Sequence, residues 1–150
     1  MAAQNALLDT TVALDRLGSG ISLTMVDFLN NVKSQPLGFR QLGLDFLGIC
    51  EIVNSLKSSL QQHFETNQPF PERAVPELSR ILQKAYQDFG SLDQLLKKFM
   101  EYEKGGAFAT LQKTWRLFFA DKDIAKIHMS LQENKGALNM TMLLTNMCVI

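Results

Sequence analysis

The sequence predicts an all-α fold, an elongated bundle of four to five helices with mostly antiparallel neighbours. Three observations lead to this expectation. Apolar residues recur at alternating steps of four and three over long stretches, the spacing of one helix face. No run of strict polar–apolar alternation reads as a strand, and no repeat with a period of about 20–50 residues is present. At 150 residues and 46% hydrophobic content, the chain has the length of one domain that buries a shared core without disulfides or metals.

Leu7, Thr11, Leu14, Gly18, Ile21, Met25, Phe28 and Val32 place the first helix over residues 3–33. Its phase persists through Gly18-Ser19-Gly20. Each interior glycine weakens a helix by about 1 kcal/mol relative to alanine, which leaves room for a kink but does not end the element. Ser34-Gln35-Pro36 ends it and opens the next helix, because proline is tolerated in a first turn. Leu42, Phe46, Ile49, Val53, Leu56 and Leu60 form the second stripe, widened by Leu44 and Leu47, and run to about Glu65. Asn67-Gln68-Pro69-Phe70-Pro71 then breaks the pattern as the best loop in the chain.

From Val75 a third helix carries Leu78, Leu82, Ala85, Phe89, Leu92, Leu96 and Phe99, with Pro76 in its first turn and Gly105-Gly106 as its stop. A shorter aromatic helix bears Phe108, Leu111, Trp115, Phe118 and Phe119. Asp121 is the expected N-cap of the last helix, where Ile124, Ile127, Leu131 and Leu138 keep the rhythm and Asn134 and Thr141 interrupt it.

Composition restricts the function classes. Fifteen Lys and Arg balance fifteen Asp and Glu, so no global attraction to nucleic acid or anionic lipid follows, and any such contact is local. Cys50 and Cys148 have neither metal-type nor redox-type spacing, as expected of a reducing, cytoplasmic compartment. The start has no signal-peptide pattern, Met1-Ala2-Ala3 excludes a myristoylation site, and Cys148 stands third from the end where a prenylation box needs it fourth. His63 and His128 each lack a second ligand at helical spacing, and Gly105-Gly106 lacks the Lys-Ser/Thr of a phosphate loop. Asp121 and Asp123 suit a helix start better than catalysis. No catalytic residue, cofactor or metal is expected, and the chain reads as an interaction or signalling module.

Two surfaces have a functional reading beside a structural one. The segment from Lys97 to Lys126 carries seven cations, Lys97, Lys98, Lys104, Lys113, Arg116, Lys122 and Lys126, against four anions, Glu101, Glu103, Asp121 and Asp123, a local net of plus three. That excess suits an anionic lipid or partner, whereas the interleaved acids suit an ion-paired, solvated face. The first helix is sparsely charged and carries small residues at Ala6, Ala13, Gly18 and Gly20, which permit close helix approach. As a membrane-acting helix it would use Ala6, Leu7, Leu8, Ala13, Leu14, Leu17 and Ile21; as a core helix it would bury the same stripe. Its longest uncharged run, Leu17 to Val26, has ten residues, and Gly136 to Ile150 has fifteen, against the about 20 that span a bilayer.

Phe28-Leu29-Asn30-Asn31-Val32-Lys33, Pro36, Leu42, Leu47 and Cys50-Glu51-Ile52-Val53-Asn54-Ser55-Leu56 resemble the HeLo-like N-terminal domains of fungal NOD-like (STAND) receptors. Leu92-Asp93-Gln94-Leu95-Leu96-Lys97-Lys98-Phe99, Trp115-Arg116-Leu117 and Asp123-Ile124-Ala125-Lys126-Ile127 to Leu138-Asn139 are similar too. The likeness covers most of the chain as diffuse helical patterns, and Met1-Ala2-Ala3-Gln4-Asn5-Ala6 departs from the Asp-Pro-Leu-Ser-like start of many members. The resemblance implies a single domain over 1–150 that forms homo-oligomers on receptor activation, is recruited from the cytoplasm to membranes, and executes cell death through its N-terminal helix. Implied partners are itself, anionic lipid and a receptor or helper protein, with no nucleic acid. A stripe still running at Leu143 and Leu144 fits the N-terminal module of a longer receptor. The alternative is a helical protein-binding adaptor or oligomerisation domain without membrane activity.

Overall fold

The apolar stripes become four α-helices in a computed structural model that describes residues 2–31, 38–67, 70–104 and 121–144. They are α1 (Ala2–Asn31), α2 (Phe39–Glu65), α3 (Ala74–Lys104) and α4 (Asp121–Leu144). α1 is continuous through Gly18-Ser19-Gly20, because the core contacts on both sides outweigh the weak local propensity. At 1.5 Å per residue it is about 45 Å long, so the bundle is elongated. The expected aromatic helix over Phe108–Phe119 lies outside the described residues, as do the Ser34-Gln35-Pro36 junction and the Gly105-Gly106 stop. Gly38 precedes α2 with φ of 81°, a left-handed conformation that glycine adopts without strain.

α1 packs on α2 and α3, and α4 packs on the same two helices, so α1 and α4 are diagonal. Successive helices run antiparallel. Phe28 meets Phe39 at one end of the α1/α2 pair (centroids 4.8 Å apart) and Asp15 meets Lys57 further along. Lys84 meets Glu133 and Asp88 meets Ser130, fixing α3 and α4 as antiparallel. The loop between α2 and α3 connects helices that are diagonal in the ring, which leaves α1/α3 and α2/α4 as parallel lateral neighbours. Phe70 in that loop is buried and lies edge-on to His63, closing one end of the core.

Across the diagonal Phe46 and Phe89 meet edge to face at 4.8 Å, and α1 reaches the same point at Gly18. A β-carbon at residue 18 would stand 3.1 Å from both Cys50 Sγ and a ring carbon of Phe89, closer than either neighbour tolerates without moving. Thr11, fully buried in the α1 stripe, donates its hydroxyl to the Leu7 carbonyl (2.7 Å) and so is buried without an orphaned donor. Leu44 corrects the expected α2 stripe: it points outward and Leu47 is half-buried. At 100° per residue, Leu44 stands about 200° around the helix from Leu42, on the far side from the core.

Leu96 is buried on the α3 stripe while its neighbour Lys97 is exposed. Leu96→Ala is therefore expected to cost about 2–5 kcal/mol in urea unfolding, with Lys97→Ala leaving the midpoint nearly unchanged. Equal, small effects would show that the stripe does not form the core.

Candidate functional site

The residues expected on a membrane-acting helix divide between two faces of α1. Leu7, Leu14 and Ile21 are core residues, Leu8 and Leu17 pack at the edge of the core, and Ala6 and Ala13 are exposed. The outward face also carries Gly20, Leu23 (77% exposed) and Val26, with charge only from Asp9, Arg16 and Asp27. In this state the apolar stripe is unavailable to any surface, and what α1 presents is small and weakly charged.

The basic set is only partly assembled. Lys98 and Lys126 line the same groove of about 350 Å³ between α3 and α4, with Ser91, Asp123 and the apolar Leu95 and Ile127. Neither lysine has an ion-pair partner among the described residues. Lys97 points elsewhere and pairs with Asp93 at 2.8 Å. The side chains of Lys104 and Lys122, and all of Lys113 and Arg116, lie outside the described residues.

The most developed polar chemistry lies along α4. His128 Nε2 is 2.6 Å from Asp45 Oδ2, a contact the ionised carboxylate can only accept, so Nε2 carries the proton. Gln132 approaches the same oxygen, and the Lys135 ammonium is 3.9 Å from Oδ1. On the other flank Asp88 of α3 accepts from Ser130 Oγ and from Asn134 Nδ2, the latter at 2.7 Å. Thus Asn134, which interrupts the apolar rhythm, is a buried residue with a half-buried carboxylate as its partner. Neither Asp45 nor Asp88 was expected from sequence. The available signal was Asn134 at a core position of α4, an amide that demands a partner on a facing helix, whereas Thr141 donates to the Ala137 carbonyl of its own helix.

These two carboxylates respond oppositely to their surroundings. Burial raises the pKa of Asp45, but the His128 hydrogen bond, aided by Gln41 and the charges of His128 and Lys135, outweighs it and holds the group below its ordinary 3.8. Burial pushes Asp88 above 3.8 against the hydrogen bonds of Ser130 and Asn134 and the charge of Lys84.

Cys50 borders a shallow α1/α2 groove beside Ser22, whose hydroxyl is 3.5 Å from its sulfur. Burial pushes its thiol up to about 11, so it is a protonated, poorly nucleophilic group at neutral pH. Among the described residues no group of three or more His, Cys, Asp or Glu is placed to hold a metal ion. His63 Nδ1 is buried without a hydrogen-bond partner among them, its ring packed on Phe70.

Comparison with protein-family models, with curated proteins and with solved structures finds no match to this chain.

The signs of the two carboxylate shifts give a pH signature. As pH falls toward 3.8 the native state takes up the Asp88 proton before the unfolded chain does, which favours the fold. Below 3.8 the unfolded chain protonates residue 45 first, and that contribution to stability is lost. Asp45→Asn should therefore flatten the stability loss below pH 3.8, and Asp88→Asn should deepen the loss above it. Urea midpoints measured from about pH 6 to about pH 2 test both slopes; slopes equal to wild type in both variants would contradict the assignment.

Proposed function

We propose that this chain is a non-catalytic signalling module of the cell-death execution kind, resembling the HeLo-like domains, that assembles with copies of itself in the cytoplasm and acts on membranes through α1. The observation that supports it is the two-sidedness of α1. One face buries Leu7, Leu14, Ile21, Met25 and Phe28 with Thr11 and Gly18 between them, and the other is built from Ala6, Ala13, Gly20, Leu23 and Val26 with little charge. Such a helix is compatible with a bundle core, and its outer face suits close packing against another helix. Among the described residues no helix is long and apolar enough to cross a membrane. The proposed action is thus interfacial or assembled, and α1 must leave the core to expose its stripe.

The second reading is a helical adaptor that recruits a protein partner, favoured by the large apolar side chains exposed on the packed bundle at Leu23, Met129 and Met140. Leakage of anionic vesicles with and without forced oligomerisation separates the two, since only the first reading releases vesicle contents.

Ala13 is exposed, so Ala13→Asp should keep the thermal midpoint within a few degrees of wild type. An aspartate at the centre of a lipid-inserted helix costs about 2.5–3.5 kcal/mol, so the same substitution should abolish leakage. A folded Ala13→Asp protein that permeabilises vesicles like wild type would overturn the role of α1 and favour the adaptor.

A further inference from the structure

α4 is joined to the bundle differently from the other three helices. α1 packs on both α2 and α3, the Gly18 site touches a residue of each, and Phe46 and Phe89 connect α2 to α3 directly. α4 lies on the opposite side from α1 and contributes Ile124, Leu131, Leu138 and Met142 to the core. Between these stand buried Asn134 and Thr141, with Ile127 and Ala137 half-buried against the same core, and the polar contacts to α2 and α3 are centred on Asp45, Asp88 and Lys84. Several of its large apolar residues face away from the bundle: Met129, Met140 and Leu143 are each more than half exposed.

We propose that α4 is a releasable helix, latched on the Asp45 and Asp88 carboxylates, that detaches as a unit while α1, α2 and α3 stay packed. The proposal does not depend on the membrane or adaptor reading. Hydrogen bonds are directional and fail over a few tenths of an ångström, whereas apolar contacts weaken gradually. Where such bonds hold a docked helix in register beside its apolar contacts, breaking them removes that register in one step. The seam is symmetric in design: His128 and Gln132 reach one way to α2, and Ser130 and Asn134 the other way to α3, so the stretch from His128 to Asn134 bonds to both neighbours. The polar groups uncovered on opening are satisfied by water, which offsets part of the cost of baring the four apolar residues that α4 buries. Opening frees the α2/α3 face that α4 covers.

Hydrogen exchange on the whole chain at neutral pH tests this. In the wild type the α4 amides should exchange at least tenfold faster than the core-facing amides of α2. In His128→Ala/Asn134→Ala, which removes one bond to each carboxylate, α4 exchange should rise at least a further tenfold with α1 to α3 unchanged. A uniform rise across all four helices, or protection of α4 equal to that of α2, would overturn the proposal. If the double variant fails to fold, exchange of the wild type in low urea decides. A separate α4 opening with a small urea dependence supports release, and α4 amides that exchange only through global unfolding contradict it.

Discussion

The missing side chain at residue 18 sets how close α1 lies to its two neighbours. Any β-carbon there would press on Cys50 and Phe89 at 3.1 Å. Phe89 in turn stands edge-on to Phe46, so one point in the middle of the bundle couples three helices. The Asp15–Lys57 pair and the Phe28–Phe39 contact, lying either side of it, hold α1 in register along α2. A helix weakened by two interior glycines is stable here because tertiary contacts, not propensity, supply most helical stability in proteins.

The bundle thus combines two kinds of packing. α1 and α3 join the core through stripes made mostly of large aliphatic or aromatic residues, with Thr11, Gly18, Ala74 and Ala85 among them. α4 joins it through a thinner stripe flanked by carboxylate-centred hydrogen bonds. Bonds to a charged acceptor contribute about 1.5–3 kcal/mol each, yet an unmade one leaves a buried group unsatisfied, so these seams fix α4 in one register. Apolar packing would have tolerated neighbouring registers more readily. Asn134, at a core position of α4, is therefore a register marker as well as a contact.

Much of this architecture was legible in the residues. The four-three rhythm located α2 to within a few residues of its ends and located α3 from Val75 onward, because a buried stripe on a helix cannot slip without exposing it. Leu44 misled because an apolar residue beside a stripe need not belong to it; angular position, not hydrophobicity, decides. The diagonal connection between α2 and α3 was not legible, since loop length and stripe pattern are the same for either ring order. Asp45 and Asp88 were invisible for a related reason. A carboxylate on a helix flank reads as solvent-facing until the opposing helix is placed, and only Asn134 hinted that a polar partner existed. Of the basic residues, spacing along the sequence said nothing about Lys98 and Lys126 sharing a groove across two helices while Lys97 turns away.

The functional account turns on one requirement: the α1 stripe that builds the core must leave it to act. Ser22 and Cys50 face each other across the α1/α2 seam, with the hydroxyl oxygen 3.5 Å from the sulfur. Ser22→Cys, in a Cys148→Ser background, places two thiols where an oxidant can join them and tether α1 to α2. The most direct measurement is vesicle leakage by this protein, oxidised and then reduced. The account predicts a folded oxidised protein that does not permeabilise anionic vesicles and regains the activity on reduction. Leakage by the tethered form equal to that of the reduced form would contradict it, because α1 would then act without leaving the bundle.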